Sequence, residues 1–495
     1  MKKPIVVALM IFLLGACNKS ETSSVAPSAN TVQITSFSPT SGLPGDVITL
    51  TGINFDANKS KNTVKFGDKV AVVNSSTATE LKVVVPTDAT TGKISVTVNS
   101  NTTTSSTDFT VNKPQVLSLT GFSPTSGLSF DTITLTGTLF DIDKNKNTVK
   151  FGNSAAMVIS ATATELKVLV PDGGKISVKV GTQTVTSDDS FTKLSIYVSG
   201  FATAASGIRY AVYWKDGNEI ILSDALTDAF ATDIAVSGGN VYVTGTEATA
   251  KKYIAKYWKN ANAVPLTNGI YSATASGIAI EGNNVYTCGS ERNDKGDNVA
   301  KYWKNNTPVI LTDKPGYNSA TAISVVGSNT YTAVYKDGYP TYFENSTPQI
   351  LSSTFLGSAN AISVRNNDIY TAGDSGNKAK YWKNKTPVSL TDNSESYSSA
   401  DAIFLSGNDV YTAGQFRKTA TTIYLAVYWK NNKQIALTDG SKSAAATDIE
   451  VLGNSGVYIC GYEGNKAKLW KNGKVLYDLT DGFTVAQATG IVIAP

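Results

Sequence analysis

The sequence predicts an all-β chain, two tandem β-sandwiches followed by a seven-bladed β-propeller. Three observations predict it. Thr, Ser, Asn and Gly are plentiful and Tyr, with 23 copies, is the commonest aromatic residue, a mixture that favours strands and turns over helices. A long segment is repeated once at an offset of 85 residues. From residue 195 the period changes to about 43 residues and runs through seven copies, within the range of solenoids and propellers.

At 495 residues the chain exceeds one ordinary core. The net charge is +4, falling to +2 once Lys2 and Lys3 are removed with the N-terminal segment. No Lys/Arg cluster stands out, so the footprint of a nucleic-acid binder is missing. The chain has no His, which takes away the usual general base near neutral pH and the commonest metal ligand. Neither a metal nor a cofactor is expected.

The first element is "MKKPIVVALMIFLLGACNKS", two lysines, an apolar run from Ile5 to Leu14 and small residues before Cys17. The run is too short to span a bilayer. "LLGAC" resembles the lipobox of bacterial lipoproteins, which implies a signal peptide over 1–16, cleavage before Cys17 and a lipid anchor on that cysteine. Residues 17–31 are polar and Ser-rich, as a flexible tether would be. Cys288 in "VYTCG" and Cys460 in "VYICG" stand where sibling copies have Ala372 and Ala413, so each replaces a small buried residue and no disulfide is expected.

The duplicated segment matches "TSFSPTSGLPGDVITLTGINF" (35–55) with "TGFSPTSGLSFDTITLTGTLF" (120–140), "NTVKFG" with "NTVKFG", and "ATELKVVVP" with "ATELKVLVP". Ile133 and Leu135 alternate with Thr132, Thr134 and Thr136, giving strands with one buried face behind a Pro-Thr-Ser-Gly turn. These motifs resemble the IPT/TIG family of immunoglobulin-like domains over 32–112 and 114–192, which implies spacers or adhesion modules without chemistry. The second copy has Ser129 and Phe130 where the first has Pro44 and Gly45, so a different first turn is expected there. Asp141, Asp143, Asn145 and Asn147 alternate like the start of a calcium loop. Lys146 and Gly152 occupy the positions that need Gly and Glu, and the stretch reads as a turn.

The propeller is expected over 195–495. Tyr197, Tyr242, Tyr286, Tyr331, Tyr370, Tyr411 and Tyr458 each sit in a "VYxxG"-like strand, and the six tryptophans sit in "YWK" strands, with Phe343 in the fourth copy. A third strand follows, ending near "LTD", and then a fourth of the form A-x-x-I. A residue repeated in every blade serves what every blade must do, so the Tyr-Trp pair is read as blade packing. Asp224, Asp313, Asp392, Asp439 and Asp481 repeat likewise and are read as turn formers. The last copy is a spare A-x-x-I strand, "ATGIVI", and residues 488–493 are expected to complete the blade begun by 195–223.

Function is then sought where the copies differ. The two longer connections of each copy emerge on one face, and that face is expected to carry Phe230, Tyr271, Tyr317, Phe355, Tyr397 and Phe483. Tyr462, in the short "GYEGNK" loop between the longer loops around Phe201 and Phe416, marks an expected groove. No catalytic residue is assigned. The architecture resembles surface glycan-binding lipoproteins of Gram-negative bacteria, which implies a lipid-anchored monomer at the outer membrane or cell surface. It also implies a polysaccharide or oligosaccharide ligand, with an outer-membrane transport protein as a candidate partner and no membrane contact beyond the lipid. A protein-binding adhesion or scaffold module is the first alternative. The second is a carbohydrate-active hydrolase or lyase using Asp233, Asp401 or Asp448 near the axis.

Overall fold

The computed structural model describes residues 31–249, 252–313, 315–391, 395–418, 421–453 and 456–495. The expected signal peptide, Cys17, the expected tether up to residue 30 and Asp392 lie outside them. Contacts divide the chain into a unit ending at Val116 and a second running from Leu117 to Pro495.

The first unit is an immunoglobulin-like sandwich. In Val47–Ile53, Ile48 and Leu50 point inward while Val47 and Thr51 face solvent. They meet Val64, Phe66, Leu81, Val83, Ile94 and Val96 in one core, closed by the edge-on ring of Phe109 at 5.2 Å from Phe66. The long strand Lys69–Ser76 pairs with both Asn62–Phe66 and Glu80–Val84 and so joins the two layers. In the second copy this strand is split into Ser154–Ala156 and Val158–Ala161, and the two sheets separate.

The expected difference in the first turn is not found. The Phe130 amide donates to the Val170 carbonyl (2.8 Å) as the Gly45 amide does to Val85 (2.9 Å), and both residues take positive φ. Phe130 is 80% exposed, so its ring costs nothing in packing. The Asp131 carboxylate holds the turn by accepting from the Leu128 amide, as Asp46 does for Leu43. The stretch 141–147 is a turn: Asn147 donates to the Asp141 and Asp143 carbonyls, Asp143 caps the short helix Lys144–Lys146, and Asp56 to Asn62 repeat the pattern.

The propeller consists of seven four-stranded sheets. In blade 2 the inner strand Ala229–Ser237 carries the A-x-x-I motif, Asn240–Ala248 the "VY" motif and Tyr253–Lys259 the "YWK" motif, with Asn262–Pro265 outermost. Blade 1 takes its inner strand from the other end of the chain. Gln487–Ala494 pairs antiparallel with Ser195–Thr203, Ile491 opposite Val198, as the spare motif predicted.

All six tryptophans and Phe343 are fully buried. Trp258 packs with Tyr197, Ala211 and Leu222 of blade 1, Trp303 with Tyr242, Ala255 and Leu266 of blade 2, and Trp214 closes the ring against Tyr458, Ala467 and Leu479 of blade 7. Among the described residues the indole N–H groups of Trp214, Trp429 and Trp470 meet no acceptor, and these rings are held by packing. The lysine after each tryptophan lies over the tyrosine of the neighbouring strand, as Lys215 does over Tyr197 at 5.0 Å, a cation–π contact. Every inner strand bulges at the same repeat position, in blade 2 between Ala231 and Asp233, and the blade 6 strand bulges a second time between Glu395 and Tyr397. In blade 2 the position opposite the bulge is glycine, and a Cβ on Gly245 would collide with the Phe230 carbonyl. Cys288 and Cys460 are buried free thiols in the interblade clusters.

Leu194 alone separates Gln183–Lys193, the last strand of the second sandwich, from the first strand of the propeller. Its amide donates to the Gly127 carbonyl (2.8 Å), and Lys471 lies 3.5 Å from Asp131. Leu128 joins the core shared by blades 1 and 7 and is 7% exposed, whereas its counterpart Leu43 is 39% exposed.

Candidate functional site

The seven inner strands surround a narrow axial channel of about 220 Å³, lined by Thr232, Thr321, Asn360, Asp401, Thr447 and Thr489 among others. The threonines lace the ring: Thr232 donates to the Ala275 carbonyl of blade 3, Thr321 to Ala359 of blade 5, Thr447 to Ala488 of blade 1 and Thr489 to Ala231 of blade 2. Asp233 and Asp448 do the same with carboxylates. Asp233 accepts from the amides of Ile234 (2.8 Å) and Ile278 of the next blade (2.9 Å), Asp448 from Ile449 and Ile491, each at 2.8 Å.

Both acids reach the axis, as the sequence suggested, and both oxygens of each are engaged by backbone. Burial pushes Asp233 up to about 6, and burial followed by the nearby charge of Asp233 pushes Asp448 up to about 7. Glu450, two residues further along the same strand, is pushed up to about 8 by burial and then by Asp448.

On the long-loop face the seven aromatic candidates separate into two groups. Phe230 is part of a closed stack in which Arg209 lies 4.8 Å over its ring and 5.4 Å from Phe201, its fork bound to Asp228 (2.8 and 2.5 Å). Tyr271 has Lys252 at 5.8 Å over its ring, and Phe483, 89% exposed, sits on the Asp481 turn.

The remaining four follow one another across blades 4 to 7. Tyr317, 69% exposed, meets the edge of Tyr335 at 6.0 Å, and Phe355, 58% exposed, lies beside Gly376 in the blade 5 hairpin. Tyr397 packs edge-on against Tyr424 at 5.9 Å. Its phenol is pushed up to about 12 by burial and then by Asp374 and Asp401, while the Tyr462 phenol is raised by burial, then Asp401 and Tyr424. The hairpins laced beneath are continuous: the Gly357 amide donates to Gly338 (3.0 Å) and the Ser398 amide to Asn377 (3.0 Å).

Blades 4, 5 and 7 have the shortest hairpins of the ring. Only residues 337–338, 376–378 and 464–465 join the second and third strands of blades 4, 5 and 7, against 204–208, 249–252, 293–297 and 419–423 in blades 1, 2, 3 and 6. Phe201 and Phe416, expected beside the Tyr462 groove, are buried in blade packing.

Sequence reasoning missed Asp374, Tyr335 and Tyr424. Asp374 is buried and accepts from the Ser358 hydroxyl at 2.6 Å. A signal existed: the residue after the "VYxxG" glycine position is Phe201, Thr246, Ser290, Tyr335, Asp374, Gln415 and Tyr462 in successive blades, variable where its neighbours repeat. The recurring aspartates do form turns, with Asp224, Asp439 and Asp481 accepting from the amide two residues on.

Residues 33–111 and 117–193 each match the IPT/TIG domain family. No curated protein matches the chain. Among solved structures, an auxiliary nutrient binding protein from Bacteroides thetaiotaomicron is 12% identical over 77% of this chain and 98% of its own, with a TM-score of 0.31. A nidogen/laminin complex chain is 10% identical over 61% and 98%, with a TM-score of 0.34. A surface glycan-binding protein from Prevotella bryantii is 21% identical over 32% and 42%, with a TM-score of 0.17. At these TM-scores none bears on function.

Proposed function

We propose that the chain is a non-enzymatic binding protein of the cell surface, anchored by lipid on Cys17 and spaced outward by its immunoglobulin-like domains, and that it holds an extended glycan across blades 4 to 7. One observation carries the reading. Tyr317, Phe355, Tyr397 and Tyr462 occur one per blade from blade 4 to blade 7, three of which carry the shortest hairpins of the ring, at positions that the repeat leaves free to vary. Sugar rings present flat apolar faces edged by hydroxyls, and a row of aromatic rings with carboxylates between them suits both. The axial acids do not favour a hydrolase, because backbone amides occupy Asp233 and Asp448.

A protein ligand is the second reading, favoured by Leu356, an exposed aliphatic side chain among the rings. The test is binding of the full chain to a panel of soluble polysaccharides by affinity electrophoresis, with the reaction mixtures searched for shortened products. Retardation by at least one polysaccharide without products supports the proposal. Product formation, or no retardation by any member, overturns it.

A further inference from the structure

Tyr397 and Tyr462 both lie within electrostatic reach of one carboxylate, Asp401. Asp401, on the inner strand of blade 6, lines the axial channel. Its Oδ1 accepts from Ser399 (2.7 Å) and Asn360 (3.1 Å), and its Oδ2 takes no protein donor among the described residues. Asp374 lies within electrostatic reach of both Asp401 and Tyr397. Among the described residues one cation is seen acting on these groups. Lys380 faces Asp374, and Arg417 is occupied by Ser396 (3.1 Å) and the Tyr424 ring (5.4 Å).

We infer that this site selects its glycan by charge, taking sugars that carry hydroxyls alone beside Asp401 and rejecting uronate- or sulfate-bearing ones, with Asp374 and Asp401 as the specificity-determining residues. The inference rests on the glycan reading. A hydroxyl can donate to the open Oδ2 of Asp401, whereas an anionic group would enter a partly desolvated space already occupied by like charge, where repulsion is weakly screened.

The test uses the full chain and acidic polysaccharides, polygalacturonate and glucuronoxylan among them, each paired with its carboxyl-reduced form and accompanied by neutral glucans and mannans. The expected result is that every pair in which either member binds favours the reduced form at least tenfold, and that Asp401→Asn and Asp374→Asn each narrow the gap at unchanged Tm. Should a variant fold poorly, the salt dependence of the wild-type gap serves instead, since an electrostatic gap closes as salt rises. Equal or tighter binding of the acidic forms overturns the inference, as does a gap indifferent to both substitutions and to salt. If Phe355→Ala abolishes binding while the pairs bind alike, the glycan reading survives and the charge selection falls. If no polysaccharide binds, both fall.

Discussion

Trp303 and Tyr317 are large aromatic residues of adjoining blades, and what covers them separates their roles. Trp303 is fully enclosed by Tyr242, Ala255 and Leu266, so Trp303→Ala should cost about 3–5 kcal/mol of stability, read as a fall in the denaturation midpoint at constant slope. The repetition of Trp exposed this role in the sequence alone. Glu450 was invisible there, because its position is Ala235 in blade 2 and Ser363 in blade 5 and nothing local marks it as axial. Its carboxyl, raised to about 8 in the fold against an ordinary 4.5, stays protonated while the unfolded chain ionises. Stability from this group is therefore complete below pH 4.5 and is lost as pH rises through 8. Glu450→Gln removes that loss. The variant should gain stability over wild type progressively from pH 4.5 to 8 and hold the gain above, by at most about 5 kcal/mol at roughly 1.4 kcal/mol per pKa unit. A gain that is flat across this range would contradict the assignment.

Strands and hairpins carry the next level. The closing strand Gln487–Ala494 occupies the whole inner edge of Ser195–Thr203 and supplies Ala488 and Ile491 to the core between blades 7 and 1. Deleting 487–495 would expose the inner edge of Ser195–Thr203 to other chains. The truncated protein should lose cooperative melting or soluble expression, and an unchanged melting curve would refute the closure. This strand was legible because the A-x-x-I motif occurs once more than the first blade can explain. The first turn of the second sandwich was misread for a local reason. Glycine at position 45 suggested that its left-handed φ was a glycine requirement, yet the Asp131 carboxylate and the Val170 carbonyl hold Phe130 in the same conformation. Hairpin lengths were legible too, but not their distribution: the shortest belong to blades 4 and 5 as well as 7, which appears only when loop length is combined with blade order.

For the whole molecule, the second sandwich and the propeller form one compact unit joined through Leu128, Leu194 and the Lys471–Asp131 pair, and the first sandwich is a unit of its own. Repetition made the fold nearly readable in full, since seven copies of one strand pattern and a duplicated domain constrain each other. The candidate aromatics were legible as residues of the variable connections, but their surroundings were not: Phe230 lies under the Arg209 guanidinium, whereas Tyr317 and Phe355 are exposed. Anchoring is tested separately: Cys17→Ser should move the protein from the membrane to the soluble fraction and abolish fatty-acid labelling, and wild-type protein that is soluble and unlabelled would count against surface display. The central claim is the aromatic sector itself. Stacking that removes about 50–80 Å² of each ring from water contributes on the order of 1–2 kcal/mol, roughly tenfold in affinity per ring. The most direct measurement is titration calorimetry of the retained polysaccharide against wild type and the double variant Tyr317→Ala, Phe355→Ala. The account predicts at least tenfold weaker binding at unchanged Tm, and wild-type affinity in the double variant would contradict it.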